Sequence, residues 1–276
     1  MNGVVVLGAG FTGHRVVQLL QAQGIDVSWT NRDDRDGGVQ FDAAFGNFSR
    51  LDRVILPGAH VLLSIPTLRS ATGLSEVTPA LVDKLKELHP ARVVYLSTTG
   101  VYGAAQFVDE HTTPAPRTER EQLRALAEAA VWNGPWSSLI LRPAAIYGPG
   151  RGIHAAMRAG EFKLSPNPNN FVSRIHVDDL AAIASSALLS NLEGHYPVAD
   201  EEPSTSLEAA QFCARLLGTP LPATAPIAEL GETRRADRRV DGSAIRTLLK
   251  IQLRYPSYRT GFPACLAEED LERSIS

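Results

Sequence analysis

The hexapeptide Gly8-Ala9-Gly10-Phe11-Thr12-Gly13 follows the apolar run Val4 to Leu7 without a break. Glycines at this spacing permit a tight turn, close approach of backbone to a pyrophosphate, and close packing of the next helix on the strand. The N-terminus of that helix would face the phosphate charge. Phe11 and Thr12 lie in the same turn, so they join Gly8, Gly10 and Gly13 as the expected phosphate-binding set. The next strand ends in Trp29-Thr30-Asn31-Arg32, with no acid before Asp33. An acid at this point accepts hydrogen bonds from the ribose of NAD, whereas an arginine pairs with a 2′-phosphate. Asn31 and Arg32 therefore favour NADP. NAD stays open as the alternative, because Asp33 and Asp34 could pair with Arg32 or approach the ribose themselves.

A second set lies in PRTEREQLRALAEAAV (116–131), where Arg120 and Arg124 stand one turn apart. Thr118 with Glu121 is a capping-box pattern, and Leu123, Leu126, Ala130 and Val131 keep the helical period as the inward face. Positions 120, 124 and 128 share a face. Whether that face is solvated and laced with charge or serves a ligand depends on the rest of the chain. The run Arg234-Arg235-Ala236-Asp237-Arg238-Arg239 offers the same choice, a grip on a phosphorylated or carboxylated substrate or an exposed ion-paired segment. His154, in the loop after Tyr147, reads as a solvated histidine.

The elements that position these residues follow from periodicity. Val4–Leu7, Ile25–Thr30, Ala59–Ile65, Val93–Ser97 and Leu139–Arg142 are short apolar runs, and His14–Gln23 is a helix with Val16, Val17, Leu19 and Leu20 inward. Continuous apolar strands separated by helices imply a parallel sheet covered on both faces. After residue 150 the pattern changes: SPNPNN (165–170) is a loop, Val177–Leu189 a helix, Tyr196–Ala199 a short strand, and TPLPATAP (219–226) an exposed connection. Ser64, Ile65 and Pro66 at one strand end and Pro143 at another complete the expected cofactor-binding set.

Three further stretches carry a resemblance. YLSTTGVYG (95–103), LRPAAIYGPGR (141–151) and SRIHVDDLA (173–181) look like the serial landmarks of the extended short-chain dehydrogenase/reductases, a group that includes nucleotide-sugar epimerases and dehydratases. The resemblance covers about residues 3 to 210. It implies an α/β fold, a Rossmann doubly wound parallel sheet over residues 1–150, with a smaller C-terminal substrate domain over 151–276 from which 175–200 packs back onto the sheet. It places the active-site Ser or Thr on Thr98, whose role would be to hydrogen-bond the reacting oxygen. Counting back from Glu128 puts Arg120 in the place of the family's catalytic tyrosine and Arg124 in that of its lysine. Lysine occurs only at 84, 86, 163 and 250, and no tyrosine has one four residues on. The chain thus resembles the atypical branch, in which the Tyr-x-x-x-Lys dyad is altered. Arginine keeps the charge and the hydrogen bonds of lysine but is no base near neutral pH. Arg124 is then expected to hold the nicotinamide ribose, and Arg120 to clamp an anionic substrate or stabilise developing negative charge. Tyr102, within VYG, is the candidate replacement acid. The HVDD stretch (176–179) is expected to be a structural turn that caps a helix and ties the domains.

Composition narrows the class. The 276 residues are 44% hydrophobic and 21% charged, with a formal net charge of -3, which argues against nucleic-acid or membrane-surface partners. Cys213 and Cys265 suggest neither a disulfide framework nor a metal site, and fit a reducing cytoplasm. MNGVVVLGAG lacks the basic segment and unbroken apolar run of a signal peptide or membrane span. The expectation is a cytoplasmic NADP-binding oxidoreductase or epimerase-like protein. Its expected partner is a small anionic, nucleotide-sugar-like substrate, and its expected assembly a homodimer. A non-catalytic dinucleotide sensor and a non-redox lyase or isomerase are the competing readings.

Overall fold

In the computed structural model, which describes residues 3–33, 37–70, 73–230 and 237–275, seven strands form one central sheet. They are β1 (Val4–Leu7), β2 (Val27–Asn31), β3 (Val39–Gln40), β4 (His60–Leu63), β5 (Arg92–Leu96), β6 (Ser137–Pro143) and β7 (Gly194–Val198). Their order is β7-β6-β5-β4-β1-β2-β3, and every pairing is parallel. This is the doubly wound order of a Rossmann fold.

Helices cover both faces, which explains why β1 is apolar at every position. Val4 and Val6 pack with Val16, Val17 and Leu20 of α1 (Gly13–Ala22), while Val5 and Leu7 belong to a separate core on the opposite face. That second core is built from α2 (Thr78–Leu88), through Leu81 and Leu85, and α3 (Glu119–Trp132), through Ala127 and Val131. Each such side chain removed from water contributes roughly 1.5–3 kcal/mol. The capping box of α3 forms: Glu121 N donates to Thr118 Oγ1 at 3.3 Å, and Thr118 N to Glu121 Oε2 at 3.0 Å. Its inward stripe differs from the expected one. Arg124, Ala127, Glu128 and Val131 are buried, whereas Leu126 is 62% exposed. Charged partners, not leucines, occupy that stripe.

A short helix, α4 (Ile153–Arg158), follows the YGPGR turn, and α5 (Val177–Leu189) then packs beside α1 before β7 completes the sheet. His176 caps α5 by accepting Asp178 N on Nδ1 at 3.1 Å. The Asp179 carboxylate accepts Arg254 N at 2.8 Å and Tyr255 N at 3.0 Å, which fastens the C-terminal chain to the same helix. Among the described residues the remaining α-helices are α6 (Ser206–Leu217), α7 (Ser243–Leu249) and α8 (Tyr258–Ile275). Tyr147, Met157, Cys213, Tyr258, Phe262 and Cys265 form a third core among α4, α6 and α8. The 219–226 connection is not wholly exposed: Ala225 is buried and its N–H donates to Leu164 O at 2.9 Å. Among the described residues, no helix is long and apolar enough to cross a membrane.

Candidate functional site

The strand order reverses between β4, β1 and β2, and such a switch point is where doubly wound sheets bind ligands. The glycine turn sits there, held to the end of β2. Gly8 N donates to Thr30 Oγ1 at 3.1 Å and Ala9 N to Thr30 O at 2.7 Å. Each glycine has its own reason. Gly8 has φ +93°, and a Cβ on it would lie 2.9 Å from Ile65 Cγ1; a Cβ on Gly13 would lie 2.3 Å from Gly8 O. A Cβ on Gly10 would meet no atom within 4 Å, so that position is open toward the cleft. Thr12, the N-cap of α1, makes no side-chain cap bond. An uncapped helix N-terminus beside an open glycine is a fitting cradle for a dinucleotide pyrophosphate.

At the end of β2, Asn31 is half-buried and Arg32 exposed, while Asp34 lies outside the described residues. The end of β4 carries Ser64, half-buried, and Ile65, buried, with Pro66 exposed beyond them; Pro143, the last residue of β6, is buried. Thr98 lies two residues past β5 and is half-buried. Its Oγ1 accepts Gly100 N at 3.1 Å, and the hydroxyl proton remains to be donated.

The two arginines of α3 part company. Arg120 is exposed, whereas Arg124 is 5% exposed. Arg124 donates to Leu96 O at 2.5 Å, to Ile65 O at 3.4 Å and to Glu76 Oε2 at 3.4 Å, and its guanidinium carbon lies 4.8 Å from the centre of the Tyr95 ring. It therefore fastens the ends of β4 and β5 from within. The expected solvated face is corrected at Arg124, which is buried among protein acceptors, and holds at Arg120. Glu76 is anchored in turn by Thr67 Oγ1 at 2.8 Å and Thr78 Oγ1 at 2.6 Å.

Tyr102 is also displaced from its expected role as an acid. It is fully buried, its phenol accepts Arg142 Nη1 at 3.1 Å, and burial holds its pKa above the usual tyrosine value. Arg142 continues into a two-pronged pair with Glu128, Nε to Oε1 at 3.1 Å and Nη2 to Oε2 at 2.7 Å. The phenol is thus turned into a buried network rather than toward solvent. The arginine at 142, inside the apolar run Leu139–Arg142, was the one sequence signal for it; Glu76 offered none.

Arg234 and Arg235 lie outside the described residues. Arg238 is buried and donates to Thr99 O at 2.6 Å, Ala105 O at 3.1 Å and Gly103 O, so it braces the turn after Thr98 rather than facing a substrate. Arg239 stacks on Phe171, 3.3 Å from the ring centre. His154 is not solvated either. It is fully buried in α4 with Nε2 3.3 Å from Glu269 Oε1, and burial lowers its pKa.

Comparison with known proteins agrees with this geometry. The model of the NAD dependent epimerase/dehydratase family matches residues 4–199. A 3-diazoavenalumate denitrifying reductase from a Streptomyces species is 30% identical over 267 residues, covering 82% of this chain and 84% of that protein. MoeE5, solved with UDP-glucose and NAD, superposes with a TM-score of 0.81 at 20% identity over 100% of both chains. The human epimerase family protein SDR39U1, solved with NADPH, gives a TM-score of 0.78 at 20% identity over 94% of this chain and 97% of that one.

Proposed function

The chain belongs to the NAD dependent epimerase/dehydratase family, and on that premise we propose that it is an NADP(H)-dependent oxidoreductase of the atypical extended type. It works without the Tyr-x-x-x-Lys dyad on a small anionic, nucleotide-sugar-like substrate. The observation that carries this reading is the open space at Gly10, beside an uncapped helix N-terminus and at the sheet's switch point.

Gly8, Gly10, Phe11, Thr12 and Gly13 would hold the pyrophosphate, and Asn31 with Arg32 the adenosine end. Arg32 would pair with a 2′-phosphate. Ser64, Ile65, Pro66 and Pro143 would line the cofactor between the strand ends. Bound NADP(H) supplies the hydride donor or acceptor. The Thr98 hydroxyl donates to the reacting oxygen, and the exposed Arg120 offers positive charge where negative charge develops. Arg124 acts indirectly, by fixing the ends of β4 and β5. With positions 120 and 124 both arginine, no side chain of α3 there can take up a proton near neutral pH. The reaction that suits this site is reduction of an acceptor polarised by hydrogen bonds alone. The likeness to a denitrifying reductase supports that class.

Calorimetric titration with NADPH and NADH tests the assignment. The wild type is expected to bind NADPH more tightly, and Arg32→Ala to lose about ten- to a hundredfold toward NADPH only. Gly10→Val is expected to fold, because nothing occupies its Cβ direction, and to lose both cofactors. Equal affinities in the wild type would end the claim for NADP. A Gly10→Val protein that binds as the wild type does would remove the pyrophosphate site.

A further inference from the structure

The turn Gly148-Pro149-Gly150-Arg151 leads out of the sheet into α4 and is closed by two backbone hydrogen bonds, Gly148 N to Arg151 O and Arg151 N to Gly148 O, both 2.9 Å. It lies directly on the glycine-rich turn. A Cβ on Gly148 would meet Phe11 Cζ at 3.0 Å, and the Arg151 guanidinium carbon is 5.0 Å from the centre of the Phe11 ring. Phe11 follows Gly10, the position open to the cleft.

A second cation, Arg15, lies over the same ring at 5.9 Å, but it is neutralised by Asp178 at 2.7 Å and Glu268 at 3.5 Å. Arg151 is different. Among the described residues it has no carboxylate partner and no side-chain hydrogen bond, only the face of Phe11. The protein around it lowers its pKa by desolvation, and no nearby acid offsets that. The residue as a whole is nonetheless exposed, so an incoming anion can reach the guanidinium and pair with it without displacing a protein partner. The backbone holds it in readiness: Glu269 of α8 accepts Gly150 N at 2.8 Å and is itself paired with Arg158 at 3.0 Å.

We propose that Arg151 is a diphosphate clamp, its guanidinium on the Phe11 ring of the glycine turn adding a positive charge for the phosphates of the dinucleotide. The inference rests on the reading of residues 8–13 as a pyrophosphate cradle and adds a charged ligand to it. Arginine suits the task, because its planar fork matches two phosphate oxygens at once.

The test is calorimetry on the full-length protein with NADPH, NADH, ADP-ribose and UDP-glucose. Arg151→Ala is expected to weaken NADPH, NADH and ADP-ribose in parallel, by about tenfold or more, and to leave UDP-glucose unchanged. Arg151→Lys is expected to recover part of the loss. If Arg151→Ala melts early, Arg151→Gln, which keeps the stem and loses the charge, is expected to show the same parallel loss. Dinucleotide affinities unchanged in the variants overturn the clamp while the cradle stands. A loss confined to UDP-glucose overturns it in favour of a substrate contact. A wild type that binds none of the three adenine ligands overturns the clamp and the cradle together.

Discussion

Arg124 and Glu76 leave water together, with side-chain exposures of 6% and 2%, and each is the other's charge partner at 3.4 Å. Arg124→Ala would strand a buried carboxylate and two strand-end carbonyls, at a cost of about 3–5 kcal/mol. Arg120→Ala, one turn away on the surface, should stay within about 0.5 kcal/mol. Urea unfolding of the two variants separates them, and equal midpoints would show that the buried pair is dispensable. Asp200 makes a second residue-level test. Burial pushes its carboxyl up to about 8 against the pull of Arg174, so it is neutral in the folded protein at pH 7. The unfolded chain ionises near the ordinary carboxylate value, so the folded state holds the extra proton between roughly pH 4 and 8. Stability must fall as pH rises through that window. Asp200→Asn should flatten the fall and raise the melting temperature at pH 8; a profile parallel to the wild type would refute it. The need for glycine at positions 8 and 13 could be read from sequence because local backbone geometry and close packing demand it there. Arg124 could not, since its partner lies 48 residues away and spacing names a face without naming what covers it.

At the scale of elements, the sheet was legible for a physical reason. Strands buried on both faces must be apolar throughout, and β1 with its four buried residues is that case. The helix at Val177–Leu189 was equally plain, but its cap carries a property no motif shows. His176 accepts a backbone N–H on Nδ1, which requires that nitrogen to be unprotonated, and burial brings its pKa down to about 4. Asp178 pulls the value up, while Arg15, Arg254 and His154 push it down. With the folded value below the unfolded one, near 6.5, the unfolded chain takes up the proton first. The cap's contribution is whole above about pH 6.5 and is lost as pH falls toward 4. His176→Asn can still cap the helix, so its melting temperature should decline less steeply across that acid window. An identical acid slope would place the titration elsewhere. The helix α8 escaped notice because Pro263 sits inside it and its surface is charged, both of which suggest a break.

The whole molecule is knit across the division expected at residue 150. Strand Arg239–Val240 pairs with Phe107–Val108, and Arg238 braces three carbonyls of the turn that follows Thr98. Arg238→Ala should leave those acceptors dry, at roughly 1–3 kcal/mol each, and should lower activity together with stability. Thermal melting beside NADPH turnover checks this; a fully stable, fully active variant would rule out the brace. Sequence reading missed the link because a basic run looks solvent-loving, and only the fold reveals which arginine turns inward. The sheet adds its own consequence. β7 is the neighbour of β6, and α5 covers the face that also receives α1, although both elements follow residue 176. A gene cut at codon 150 would therefore yield a first fragment with Leu139 and Leu141 bare along an open edge. Neither product should be recovered soluble when made alone. Made in the same cell, the two should find each other and restore one molecule, so the boundary between them is a seam within a single cooperative unit.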